Sequence, residues 1–162
     1  MVERIEFSPA NHQGQWPTFE EVSVGDVVVS GAYGSVDIID VVRWAGFQEN
    51  YAQLHYDREY VRTEAGLPTF IASGAFRESL MVRLLTDWMG PAGRLAKLKT
   101  RQTYSTFEGD SLRFTGRVVE KSQNGSDPWL VCEMEGFNGE DRQILQSTCT
   151  IRLEAAAQAD PS

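Results

Sequence analysis

Residues 71–91 read IASGAFRESLMVRLLTDWMGP. On a helix drawn through this stretch, Ala75, Ser79, Val82 and Trp88 fall near one side, and Phe76, Leu80, Leu84 and Leu85 widen it. Gly90-Pro91 stops the helix, since glycine is favoured just past a helix end and proline cannot continue one. A helix this apolar must be largely buried. Ser73 and Gly74 stand at its start, where backbone N–H groups lack intrahelical acceptors and the helix dipole favours negative charge. Ser73 either caps the helix or serves a ligand there, and Gly74 either relieves packing or lets a ligand approach the backbone.

Downstream, the apolar period changes from helix to strand. RLAKLKTRQTYSTF (94–107), SLRFTGRVVEKS (111–122), PWLVCEMEGFN (128–138) and RQILQSTCTIRLE (142–154) are separated by the turn-forming stretches EGD, QNGSD and GED. Short polar turns between strands predict a four-stranded antiparallel meander. A long apolar helix ahead of such a sheet predicts an α+β domain, the sheet curled around the helix so that its inner face buries it.

Upstream, TFEEVSVGDVVVSGAYGSV (18–36) gives a turn at Gly25-Asp26 and then a β-branched strand. DIIDVVRWAGFQEN (37–50) has helical spacing with Asp37 or Asp40 as N-cap, and a second short helix runs from about Arg58 to Ala65, capped by Asp57 and ended at Gly66. The chain before about Pro17 reads as loop, and the tail AAAQADPS as frayed.

The 162 residues, 41% hydrophobic, suffice for one domain over 1–162 with its core at about 18–153. A net charge of −8 argues against a general nucleic-acid or membrane-surface binder, because neutralising phosphates needs a basic face. The local exception is GRLAKLKTR: Lys97, Lys99 and Arg101 alternate along a strand and so share a face, suited to an anionic ligand or to solvation. The N-terminal residues lack the basic and apolar regions of a signal peptide, and no apolar run spans a bilayer, so a cytoplasmic location is expected. Cys132 and Cys149 lie in separate strand-like stretches without metal-ligand spacing and are expected as buried, reduced thiols; no metal site is expected.

Three of these segments, in order, resemble the MaoC-like dehydratase and (R)-specific enoyl-CoA hydratase family, whose fold is the hot-dog fold. TFEEVSVGDVV is similar to the family's opening, HYDREYVRTEAGLPTFIASG (55–74) to its active-site segment running into the central helix, and RQTYSTFEGDSLRFTGRV (101–118) to its R-F-x-x-P-x-x-P-G-D-x-L strand and turn. The likeness covers about Thr18 to Leu153. The family's hydratase motif, D-x-N-P-x-H, has aspartate where this chain has Asn50. A branch similar to mesaconyl-CoA hydratases and hydroxyacyl-thioester dehydratases carries N-x-H-R-I-H-Y-D instead. NYAQLHYD (50–57) matches its asparagine, last histidine, tyrosine and aspartate, with Ala52 and Gln53 in place of its first histidine and arginine.

The resemblance implies a hydratase or dehydratase of an α,β-unsaturated or 3-hydroxy acyl thioester. Coenzyme A would be part of the substrate and there would be no separate cofactor. Such chemistry needs a base for water, a proton for Cα and donors for the enolate oxygen. His55, a ring of the type that exchanges protons near neutral pH, is the candidate base, although position alone also fits a histidine packing or capping the next helix. Asn50 can only orient, Asp57 reads as a helix cap, and Glu49 would point about 100° away from Asn50 on a helix. The backbone at Ser73 and Gly74 supplies the oxyanion donors, while Lys97, Lys99 and Arg101 would meet the cofactor-like tail. Two other functions fit the lost aspartate: a non-catalytic hot-dog subunit paired with a catalytic partner, or a lyase or aldol-type enzyme using the same cradle on a bulky acyl or steroid-like substrate. Two unpaired sheet edges imply a homodimer, a larger assembly of dimers or a heterodimer.

Overall fold

The structure is a computed structural model and describes residues 16–123 and 128–154. The loop expected before residue 16, most of the expected turn at 123–127 and the tail from 155 lie outside the described residues. Strand β1 (Val27–Tyr33) leads through α1 (Ile38–Phe47), a single 3-10 turn (Gln53–His55) and α2 (Arg58–Thr63) to a two-residue strand, β2 (Ile71–Ala72). Next come α3 (Gly74–Met89), β3 (Arg94–Gln102), β4 (Thr106–Phe107), β5 (Leu112–Ser122), β6 (Trp129–Asn138) and β7 (Gln143–Arg152).

Five strands form one antiparallel sheet in the order β1-β5-β6-β7-β3, and β2 pairs with β4 in a separate ladder. The meander holds for β5, β6 and β7. It fails for β3, which crosses over to pair with β7, and the stretch expected as one strand over 94–107 breaks at residues 103–105 into β3 and β4. Alternation of apolar residues fixes which face a strand buries but not which strand it sits beside. Among the described residues the sheet therefore ends on β1 and β3.

Helix α3 lies against the inner face of this sheet. Its buried side chains are Phe76, Arg77, Leu80, Met81, Leu84, Leu85, Trp88 and Met89, facing Phe114, Val118, Leu130, Met134, Leu145 and Ile151 within one buried cluster. The buried stripe is thus turned from the expected one: Ala75, Ser79 and Val82 are half-buried, and the charged Arg77 is inside. The approach of α3 to β1 is so close that a Cβ on Gly31 would sit 2.8 Å from Leu84 Cδ2. No helix among the described residues is long and apolar enough to cross a membrane.

Local signals behave as the sequence predicts. Asp37 caps α1, accepting from the Asp40 amide at 2.9 Å while the Asp40 carboxylate accepts from the Asp37 amide at 3.2 Å, so both aspartates work in one capping box. Asp57 caps α2, which ends at Thr63, two residues before the expected Ala65, and Gly66 follows in a left-handed conformation with φ +63°. Cys132 and Cys149 are free, buried and directly opposite each other on β6 and β7. The hydrogen bond between the two thiols, reinforced by burial, pushes the Cys132 thiol well above the ordinary range, while the same bond lowers that of Cys149.

Because Leu85 is wholly buried at the helix–sheet contact, Leu85→Ala is expected to destabilise the protein by about 2–5 kcal/mol. Urea titration would show this as a lower midpoint with an unchanged slope; a cost below about 1 kcal/mol would mean that α3 is not seated in the sheet as described.

Candidate functional site

The residues singled out around His55 gather at the start of α3. The turn that carries His55 begins where α1 ends, so its first requirement is an abrupt change of direction. Gln48 closes α1, Glu49 takes a left-handed φ of +51°, and the Asn50 amide returns to the Ala45 carbonyl at 2.9 Å. Glu49 is therefore off the helix, exposed, and not set 100° from Asn50 along it. The Asn50 side chain accepts from the Ala52 amide at 3.2 Å, the local side-chain-to-backbone bond that asparagine makes two residues on. The Ala52 carbonyl accepts from the His55 amide at 3.0 Å, completing the 3-10 turn. The Tyr56 hydroxyl donates to the Tyr51 carbonyl at 2.8 Å and closes the loop from outside.

His55 is 6% exposed, and its ring is held by one strong contact: Nδ1 lies 2.6 Å from the carbonyl oxygen of Ile71 in β2. A carbonyl only accepts, so Nδ1 carries the hydrogen and Nε2 of the neutral ring is left as an acceptor. Two residues beyond Ile71, the Ser73 hydroxyl donates to the Gln48 side-chain oxygen at 3.0 Å. The contacts form a closed circuit: Gln48 to Asn50 along the chain, then Ala52, His55, Ile71, Ser73 and back to Gln48. Ser73 gives its hydroxyl to this circuit and makes no capping bond to α3, so the capping reading does not hold. The first amides of α3 are left without a side-chain cap from Ser73.

Beside Gly74 the open space belongs to Gln102. Its side-chain amide donates to the Gly74 carbonyl at 3.2 Å, and a Cβ on Gly74 would lie 3.1 Å from Gln102 Cδ. Gln102 is exposed and at the end of an edge strand. Asp57 is where its cap role needs it, accepting from the Glu59 and Tyr60 amides at 3.0 Å each. The β2–β4 ladder behind Ile71 is extended by the Glu108 amide on the Phe70 carbonyl at 2.9 Å and by the Thr69 hydroxyl on the Glu108 carboxylate at 2.5 Å.

Lys97, Lys99 and Arg101 do share a face, as alternation predicts, and it is the exposed face of β3 turned away from α3. Lys99 and Arg101 line a shallow depression of about 680 Å³ with Arg117, Glu133 and Glu135. Three residues of the region escape a sequence reading. Gln48 and Gln102 give no signal, since their partners lie 25 and 28 residues away. Arg77 does give one, as a charge in register with Leu80, Leu84 and Trp88 on the apolar helix. It is 4% exposed and its guanidinium is pushed below the ordinary range by burial, which the nearby Asp110 carboxylate opposes.

No protein-family model matches the sequence, and no curated protein matches it either. The backbone does match solved structures. It is similar to the R-hydratase PhaJ1 from Pseudomonas aeruginosa, with a TM-score of 0.73 and 21% identity over 90% of this chain and 94% of that one. It is similar to a MaoC-like dehydratase from Rhodospirillum rubrum, with a TM-score of 0.72 and 20% identity over 87% and 99%. It also matches a chain of the ChsH1-ChsH2 complex from Mycobacterium tuberculosis, with a TM-score of 0.71 and 19% identity over 82% and 98%. The fold is the hot-dog fold. At these identities the likeness carries the architecture, as expected from the sequence.

The cap role of Asp57 predicts that Asp57→Asn leaves stability nearly unchanged while Asp57→Ala costs about 0.5–2 kcal/mol. Equal losses in thermal and urea unfolding for the two variants would point to the charge, not the cap.

Proposed function

We propose that the chain is a hydro-lyase acting on an acyl thioester, adding water to an α,β-unsaturated acyl group or removing it from the 3-hydroxy form. The observation that carries this reading is the His55 contact to Ile71, which leaves Nε2 as proton acceptor on a buried ring next to the uncapped start of α3. In the hydration direction Nε2 takes a proton from water as its oxygen bonds to Cβ. The Cα–Cβ π electrons move toward the thioester carbonyl, whose oxygen becomes an enolate, and Cα then takes a proton. The enolate oxygen would be met by the first amides of α3, at Gly74 and its neighbour, where the helix dipole adds to the N–H donors. Asn50, with its oxygen on the Ala52 amide, shapes the turn that presents His55 and has no proton to exchange.

The thioester would be a coenzyme A ester, with no separate cofactor. Its phosphates sit at the far end of a pantetheine arm and need not adjoin His55, which suits a role for Lys97, Lys99 and Arg101 on the exposed face of β3. The branch that carries asparagine in place of the hydratase aspartate is the subgroup this reading favours. The edge strands β1 and β3 each expose unpaired backbone groups, and the proposed protein is at least a dimer through one of them.

A second reading is favoured by two observations: the carboxylate expected before His55 is an amide already used in a local bond, and a similar solved chain comes from a two-component complex. In it the chain is a hot-dog subunit that pairs with a catalytic partner.

Purified protein assayed against a panel of unsaturated acyl-CoA esters separates the two. The hydro-lyase reading expects turnover that His55→Ala lowers by about 10²–10⁴-fold while the fold is kept. It also expects Asn50→Asp to preserve or raise activity, since a carboxylate accepts the Ala52 amide equally well. An inert chain, unaffected by either change, belongs to the second reading. Replacing Lys99 and Arg101 by glutamine is expected to weaken binding of the coenzyme A ester at low salt, and unchanged affinity removes them from the site. A monomeric mass by light scattering at micromolar concentration would remove the dimer.

A further inference from the structure

Arg77 is the charged side chain on the buried stripe of α3, and the circuit around His55 does not include it. One of its terminal nitrogens donates to the Tyr104 carbonyl and, at 3.1 Å, to the Thr106 hydroxyl, while its Nε is buried without a protein partner. Such a group is costly inside a protein, since its desolvation is only partly offset by these bonds. A methionine of similar length would fill the same volume without burying a charge. What the guanidinium grips, however, is the segment that supports the candidate base. Thr106, wholly buried, is the first residue of β4 and stands opposite Ala72, with Phe107 opposite Ile71. Ile71 is the residue whose carbonyl holds His55 Nδ1 at 2.6 Å.

We propose that Arg77 is a positioning residue: through Thr106 and the β4–β2 ladder it fixes the Ile71 carbonyl, and so the orientation and tautomer of the His55 ring. This rests on the hydro-lyase reading for its effect on rate, but the effect on the ring is independent of any activity. The ladder is two residues long in each strand and is continued beyond Ile71 by the Glu108 contacts to Phe70 and Thr69, so at its other end, at Thr106, an anchor from α3 has leverage on it. Arginine suits the task because the two hydrogens on that one nitrogen are fixed in the guanidinium plane and so point at the carbonyl and the hydroxyl in set directions, whereas those of an ammonium turn freely.

The test reads the His55 ring by ¹⁵N NMR near pH 8 in a His12→Gln background, which leaves one imidazole in the chain. The starting protein should show the tautomer with hydrogen on Nδ1. Arg77→Met and the near-isosteric Thr106→Val should each give a mixed tautomer population. In a working hydratase they should also lower kcat by roughly 10-fold or more, toward the 10²-fold that a displacement of about 1 Å can cost, with KM little changed. Arg77→Lys should restore part of both. Should Arg77→Met fail to fold, Thr106→Val decides. A folded Thr106→Val protein that keeps the Nδ1–H tautomer and full kcat overturns the proposal. If the chain turns over no thioester, the tautomer populations still decide the role of Arg77, and the hydro-lyase reading alone is lost.

Discussion

The structure depends on burying one helix. An apolar α3 cannot face water, and no single neighbouring helix would cover a stripe that includes Phe76, Met81, Leu84, Leu85, Trp88 and Met89. A curled antiparallel sheet does, with inward residues from β5, β6 and β7 filling the trough. The demand for close contact reaches into the strand sequences. At Gly31 any side chain would run into Leu84, so β1 carries glycine where its alternation calls for an inward residue. Once α3 is seated, its N-terminus is fixed relative to the sheet, and whatever is built there inherits that rigidity.

The site uses this inheritance. The turn that bears His55 has little regular structure of its own, a single 3-10 turn between two helices, yet it closes onto α3 at two points. One is the His55 ring on Ile71, in the strand before the helix; the other is Gln48 on Ser73, the residue immediately preceding it. A buried imidazole must have its polar atoms matched, and the Ile71 carbonyl satisfies one nitrogen while deciding which nitrogen remains basic. The contact that satisfies the buried ring and the one that sets its tautomer are therefore the same hydrogen bond.

What can be read from the sequence is local. Capping at Asp37, Asp40 and Asp57, the left-handed Gly66, the extent of α3 and the β5–β7 meander all follow from residues within a few positions of one another. What differs in the structure involves distance. β3 pairs with β7 across some fifty residues of chain, and nothing in an alternating strand names its neighbour. The apolar pattern alone turns the helix stripe away from Arg77, because a charge looks like the polar side, and only the Tyr104 carbonyl and Thr106 hydroxyl, 27 and 29 residues on, make its burial tolerable. Ser73 looks like a cap because the Gln48 side chain that takes its hydroxyl is 25 residues away. His55 is recognisable as a candidate through resemblance, but its partner is not.

The amide at Asn50 has a consequence for mechanism. Among the side chains of the circuit, Gln48, Asn50, His55 and Ser73, the imidazole is the one built to take up a proton at one nitrogen while keeping a hydrogen on the other. In the proposed reaction a carboxylate beside the imidazole could divide the work, one group activating water and the other delivering the proton to Cα. Asn50 has no proton to exchange, so in the proposed reaction the proton that Nε2 takes from water would also be the one available to Cα. A single ring nitrogen reaches only one face of a planar enoyl group, so in that reaction the oxygen and the hydrogen would add from the same side. The hydrogen bond between Nδ1 and the Ile71 carbonyl would serve this proposed shuttle: as Nε2 gained a proton, the carbonyl would stabilise the imidazolium by accepting from its other nitrogen, and the ring would not have to turn before giving the proton back.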